Sequence, residues 1–245
     1  MSGKSHHYRR SIRGTAHLAG ACSLSRFEWT DTEREFRRSI ALNPNYPSAH
    51  FYYALYLVAM GRHEEAVAEA KKALALDPVS LAAQTNVAII YYRAGRYDEA
   101  VEEARRVVHL ETTYAHAHYV LGRAYVQKGM YREAILSSRR AVALERSNVR
   151  YMASLAYIYG VAGKRNASEL RAKIKRVMGQ RYVPAYTVAI CYVGLGKTDE
   201  ALAWLTRAGE ERSAESPFVN ADPRLAALHV EPRFRQILHK LGLKR

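Results

Sequence analysis

The sequence predicts an all-α protein, an array of helix pairs stacked in single file, and three observations lead there. Glycine-opened turns recur at nearly constant spacing: "GRHEEA" from Gly61, "GRYDEA" from Gly95, "GMYREA" from Gly129 and "GKRNAS" from Gly163 follow one another by 34 residues, and "GKTDEA" from Gly196 comes 33 later. Small residues recur in step with those turns. If each copy begins at Arg13, Pro47, Leu81, Ala115, Val149 and Tyr182, its eighth residue is Gly20, Ala54, Ala88, Gly122, Ala156 or Ala189. Its twentieth is Thr32, Ala66, Ala100, Ala134, Ser168 or Ala201. Finally, no segment alternates polar and apolar residues with period two for long enough to propose a strand.

Large residues fill the remaining inward columns. The seventh position holds Tyr53, Val87, Leu121, Leu155 and Val188, and the eleventh holds Leu57, Tyr91, Tyr125, Tyr159 and Tyr192. Small side chains let two helices approach closely while bulky neighbours fill the space around the contact.

From the N-terminus, residues 1–12 read as a flexible basic arm, with Lys4, Arg9 and Arg10. "LAGAC" before Cys22 has the look of a lipoprotein cleavage site. Its apolar stretch is too short for a signal-peptide core and carries His17, so a cytoplasmic start is expected. Residues 13–210 read as the repeat array, opening with a degenerate copy that has Phe27 where the turn glycine belongs. "NPNYP" at Asn43–Pro47 and "LDPVS" at Leu76–Ser80 separate copies, because proline disfavours helix at the preceding residue. "LETTY" and "LERSN" are expected to turn less sharply at the later junctions.

Gly196-Lys197-Thr198 ends as a phosphate-binding P-loop does, but the motif needs a glycine five positions earlier, where Cys191 stands, and a strand leading in. The glycine's expected task is a left-handed helix C-cap, with Glu200 then in the first turn of the next helix. Residues 211–245 read as a linker followed by capping helices. "DPRLAAL" from Asp222 and "EPRFRQI" from Glu231 each start a helix on a proline, and Leu225, Leu228, Phe234, Ile237 and Leu238 would seal the last repeat.

Composition sets outer bounds. The 245 residues are 49% hydrophobic, carry a net charge of +15 and include only Cys22 and Cys191, which argues against a disulfide scaffold. No apolar run reaches the 18 residues or so that a membrane span needs.

A 34-residue unit with small residues at positions 8 and 20, a large one at 11 and proline at 32 resembles the tetratricopeptide repeat. "SAHFYYALYLVAMGRHEEAVAEAKKALALDP" matches that family along its whole length. The resemblance implies a right-handed α-solenoid whose first helices line a concave, partner-binding groove. Carried onto this sequence, that groove holds Phe51, Leu55, Thr85, Asn86, Ile89, Tyr92, Arg93, His116, Tyr119, Arg123, Tyr157 and Tyr186. This apolar and aromatic trough with two central arginines suits a peptide or helix bearing apolar side chains and a carboxylate. The family's clamp for a peptide's C-terminal carboxylate is not reproduced: of Phe51, Leu55, Asn86, His116 and Val120 at its positions, only Asn86 agrees.

"TEREFRRSIALNPNYPSAHFYYALYL" and "NADPRLAALHVEPRFRQILHKLGL" also resemble the C-terminal repeat regions of bacterial multidomain signalling proteins that carry winged-helix, adenylate cyclase or Ser/Thr kinase domains. The resemblance implies an adaptor, or the detached regulatory half of such a protein.

The positive charge raises nucleic-acid binding as an alternative. Its arginines, in "EFRRSI", "EARRVV", "SSRRAV" and "RAKIKRV", lie on second helices and read as solvated faces beside Glu33, Glu35, Glu102 and Glu103, which argues against it. For an enzyme there is no nucleophile–base arrangement, metal-ligand spacing or glycine-rich strand turn. His116 and His118 lie two apart on different faces of a helix, and His6 and His7 sit in the arm. The expectation is a non-catalytic protein-interaction module without cofactor or metal, whose exposed solenoid ends offer weak self-association.

Overall fold

The computed structural model describes residues 29–243. The basic arm, the first helix of the degenerate copy with Gly20 and Phe27, Cys22, His6 and His7 lie outside the described residues.

Among the described residues every regular element is helical. Helix α1 (Trp29–Leu42) is the second helix of the first copy. Five pairs follow: α2 (Pro47–Ala59) with α3 (His63–Leu76), α4 (Leu81–Arg93) with α5 (Tyr97–Leu110), and α6 (Ala115–Gln127) with α7 (Tyr131–Leu144). The last two are α8 (Val149–Val161) with α9 (Asn166–Met178) and α10 (Ala185–Gly194) with α11 (Thr198–Glu210). Two 3-10 turns, Ser216–Phe218 and Pro223–Leu228, lead to α12 (Pro232–Lys240). Each helix packs on its sequence neighbours, and first helices also touch first helices of adjacent pairs, so the array is an α-solenoid.

The repeated glycines explain the turns. Gly61, Gly95, Gly129, Gly163 and Gly196 have φ of 74°, 78°, 70°, 67° and 66°, the left-handed region that a side chain disfavours. At each, the next residue's N–H reaches back to the eleventh-column carbonyl, as from Arg62 to Leu57 (2.8 Å), Arg96 to Tyr91 (2.9 Å) and Lys197 to Tyr192 (2.9 Å). This six-to-one bond closes the helix and reverses the chain. Gly196-Lys197-Thr198 is therefore a helix cap followed by the first residue of α11, and not a phosphate cradle. The proline-free junctions turn as tightly as the others: each of the four from α1/α2 to α7/α8 takes four residues. Asn148 does the work of proline before α8 by accepting the N–H groups of Arg150 and Tyr151.

The small columns mark the helix crossings. Ala54, Ala88, Ala156, Ala189, Ala66, Ala100, Ala134 and Ala201 are all fully buried. The fifth copy departs from expectation: Ser168 is exposed and Ala167 is buried in its stead. The residue missing from the 33-residue interval thus falls between Gly163 and Ala167, shifting α9 by one position. Helices α8 and α10 approach closely enough for glycine to be needed on both. A Cβ on Gly160 would stand 2.0 Å from the Gly194 carbonyl oxygen, and one on Gly194 would stand 2.3 Å from the Tyr157 Cα.

The C-terminal end differs from a linker plus cap. Leu225, Leu228, Phe234, Ile237 and Leu238 are buried as a seal should be. The stretch expected as linker is itself packed: Ser213, Ser216, Phe218, Val219 and Asp222 are all buried. The 3-10 turn Ser216–Phe218 reaches α2 as well as α11, while Pro223–Leu228 packs on α10. The chain's end therefore crosses the face formed by the first helices.

Candidate functional site

Helices α2, α4, α6, α8 and α10 share one face because their apolar residues are spaced for two contacts each, one with the partner helix and one with the next pair. On that face lies a cavity of about 540 Å³. Its floor is Phe51 and Leu55 from α2, Asn86 and Ile89 from α4, and His116 and Tyr119 from α6. The opposite wall is not a repeat at all but the chain's own Ala214, Glu215, Pro217 and Phe218.

Of the twelve residues expected in the groove, nine line this cavity: Phe51, Leu55, Asn86, Ile89, Arg93, His116, Tyr119, Arg123 and Tyr186. The other three do not line it. Thr85 is fully buried and its hydroxyl donates to the Leu81 carbonyl (2.7 Å). Tyr92 and Tyr157 are buried, with the Tyr157 backbone against Gly194.

Arg123 is met from within the chain, by the carboxylate of Asp222. Its side chain is fully buried and accepts hydrogen bonds from the hydroxyls of Tyr186 (2.7 Å) and Tyr92 (3.4 Å) and from Arg123 Nη2 (3.3 Å). Arg224, two residues on, closes the ring with Nε 3.0 Å from one carboxylate oxygen and Nη2 2.6 Å from the other. The same Asp222 caps the 3-10 turn by accepting the Arg224 backbone N–H (3.0 Å). Buried charges need such partners, since an unpaired one costs several kcal/mol.

The ring sets the local electrostatics. Burial pushes the Asp222 carboxyl up, but Arg224 and Arg123 outweigh it and hold the group far below the usual carboxylate range. Burial and then Asp222 push the Tyr186 phenol well above its ordinary value. For Tyr119, burial is outweighed by Arg123, Arg224 and Arg150, so that phenol falls below its ordinary value. Burial, then Arg150 and Arg123, lower His116 to about 4, so it is neutral at physiological pH.

Arg93 is held differently. Its guanidinium stacks 4.2 Å from the centre of the Phe218 ring, while Nε and Nη1 are buried with no hydrogen-bond acceptor. Arg123 lies over the rings of Tyr92 (4.2 Å) and Tyr119 (5.3 Å), and its Nε also lacks an acceptor. Arg150 ties the rim to the segment through Glu215 (2.6 Å). Sequence reasoning left out Asp222, Arg224, Phe218, Glu215 and Arg150 from the site. Asp222-Pro223 was legible only as a helix start, although Arg123 on an inward apolar helix already called for a counter-charge.

His116 stacks on Tyr119, the Nε2 of His118 is 3.0 Å from the Thr112 carbonyl oxygen, and the described residues contain no cluster of potential ligands.

Three tetratricopeptide-repeat family models match, over residues 35–68, 54–114 and 91–156. Among solved structures the chain is similar to PilF of Pseudomonas aeruginosa, at 16% identity over 95% of this chain and 99% of that one, with a TM-score of 0.58. It is also similar to TTC0263, a thermophilic tetratricopeptide-repeat protein of Thermus thermophilus, at 21% identity over 79% and 99%, with a TM-score of 0.54. A third is MamA from residue 41 onward of Desulfovibrio magneticus, at 20% identity over 70% and 98%, with a TM-score of 0.53. No curated protein matches the sequence. These likenesses concern the fold.

Proposed function

Because the chain belongs to the tetratricopeptide-repeat family over residues 35–156, we propose that it is a non-catalytic interaction module whose concave face captures a segment of a partner polypeptide. The observation that carries this reading is the cavity between the floor of α2, α4 and α6 and the C-terminal segment. It is apolar at Phe51, Leu55 and Ile89, bordered by Asn86 and His116, and reached by an arginine whose buried nitrogens lack acceptors. Aromatic anchors beside arginine are what interface centres favour.

The chain's own segment indicates what such a guest looks like. The face already holds an aromatic ring and a carboxylate of the chain itself, Phe218 against Arg93 and Asp222 against Arg123, which supports a guest of the same chemistry. A partner entering the remaining space would place an apolar side chain over Ile89 and a carbonyl or carboxylate oxygen at Arg93. Binding is reversible capture without chemistry. The role we assign is adaptor or sensor in a bacterial, cytoplasmic signalling system, and it rests on the likeness of residues 32–57 and 220–243 to repeat regions of multidomain regulators.

A photo-crosslinking phenylalanine analogue at Phe51 tests the site in the living cell. It should trap a defined partner polypeptide, and Ile89→Arg, which fills the cavity, should abolish the product. A product that persists unchanged in Ile89→Arg would move the interaction off this face.

A further inference from the structure

The excess positive charge is not spread over the solenoid. Residues 31–130 hold twelve Lys and Arg against twelve Asp and Glu, and residues 182–243 hold seven against seven. Residues 131–181, which make up α7, α8, α9 and their connections, hold twelve against three. The whole net charge of residues 31–243 thus sits on about one and a half repeats.

Pairing follows the same division. In the balanced half, most arginines meet a carboxylate within about one turn, as Arg37 does Glu33 (2.8 Å), Arg96 does Glu99 (2.6 Å) and Arg106 does Glu102 (2.5 Å), with exposed Arg38 and Arg105 among the exceptions. That is the solvated-face arrangement expected from the sequence. In the basic half it fails. Among the described residues, Arg132, Arg139, Arg140 and Arg146 on and just after α7 are exposed and form no ion pair, and neither do Lys173, Lys175 and Arg176 on α9. Like charges at this density repel one another and destabilise the folded chain. Such a patch suits an anion that would relieve the repulsion.

The patch also has shape. Arg132, Arg139 and Arg146 recur every seven residues, which sets them in one row along α7 and its end. Arg139 and Arg146 form one bank of a furrow of about 420 Å³, Lys173 stands on the other, and Tyr159, Asn166 and Glu169 line it with Leu170. A flat membrane would touch only the crests of two such banks, whereas a single polyphosphate strand can lie between them. Arginine is the main cation here, and its forked donors fit phosphate oxygens in pairs. Half-buried Tyr159 gives a π-face of the kind on which bases stack.

We propose that the outer face of α7 and α9 binds single-stranded nucleic acid through its phosphates, independently of the concave groove. The lone carboxylate in the furrow, Glu169, weakens this attraction without cancelling it.

The test uses the full chain and a fluorescein-labelled oligouridylate of about twenty nucleotides, longer than the roughly 4–16 nucleotides that single-strand-binding domains occupy. Anisotropy at low salt should report binding, with an affinity that falls steeply as salt rises. Arg139→Gln/Arg146→Gln/Lys173→Gln should weaken it about tenfold or more and flatten the log–log salt slope by about 2, because each lost phosphate contact on a single strand removes about 0.7. Arg37→Gln/Arg106→Gln, on the balanced half, should bind as the parent does. The single Arg139→Gln should flatten the slope by about 0.7, which keeps the test decisive if the triple variant folds poorly. Absence of binding at low salt would overturn the proposal. So would equal binding by the parent and the Arg139 variant, or retention on phosphatidylserine vesicles without any on the oligonucleotide.

Discussion

Asp222→Asn should release the C-terminal segment from the groove while leaving the helix pairs intact. Asparagine keeps the shape and can still cap the Pro223–Leu228 turn, so the change removes charge and little else. It leaves two guanidinium groups, with Arg123 and Arg224 only 5% and 6% exposed, facing a neutral amide. Removing one partner from a buried pair costs about 3–5 kcal/mol. The lower end applies here, because Arg224 travels with the segment and regains water when it lifts. Arg123 cannot escape, being fixed in α6 between the rings of Tyr92 and Tyr119. A loss of about 3 kcal/mol corresponds to amide exchange more than a hundredfold faster across Pro217–Leu228, read by hydrogen-exchange mass spectrometry. Exchange in α2 to α9 should change little. Arg123→Met should offset part of the loss, since an apolar group of similar size needs no counter-charge. Exchange within threefold or so of the parent, or strictly additive effects of the two substitutions, would refute the reasoning.

Two further perturbations separate backbone contact from side-chain contact and neutral from charged histidine. Gly194→Ala should destabilise more than Gly122→Ala in urea melts. The first would drive a methyl to 2.3 Å from the Tyr157 Cα, whereas the second meets the Ser138 hydroxyl at 2.1 Å, which can rotate away. Overpacking costs about 1–3 kcal/mol, with Gly194 at or above the top of that range. Lowering the pH should weaken the fold through His116, whose folded value of about 4 lies below its ordinary 6.5. The unfolded chain then binds a proton that the folded chain refuses, so stability is level above about pH 6.5 and falls towards about pH 4. The part due to this half-buried ring is about 2 kcal/mol or less, and urea melts of His116→Gln should lack it.

The solenoid was legible because its information is periodic. A left-handed glycine after each first helix and a small residue at each crossing repeat often enough to fix both helices of every pair. The exception is local: a one-residue deletion beside Gly163 moves the buried position from Ser168 to Ala167, and one sequence cannot say where within the turn it falls. The groove was legible as a surface but not as a filled one. Asp222 reaches partners 36, 99 and 130 residues away, and no spacing rule links it to Tyr186, Arg123 and Tyr92. The charge segregation could have been counted directly. It was hidden because the arginines of α1 and α5, which do have carboxylates one turn away, invite the same reading for α7 and α9.

On the proposed reading, a partner shares the concave face with the chain's own segment, which stays in place. Tyrosine-selective NMR of the full chain, titrated with the polypeptide captured through Phe51, tests it most directly. The hydroxyl proton of Tyr186, donated to Asp222 at 2.7 Å, should be slow to exchange and persist throughout, while the ring signals of Tyr119 in the open cavity shift. Disappearance of the Tyr186 hydroxyl signal on binding, or an unmoved Tyr119, would contradict the claim.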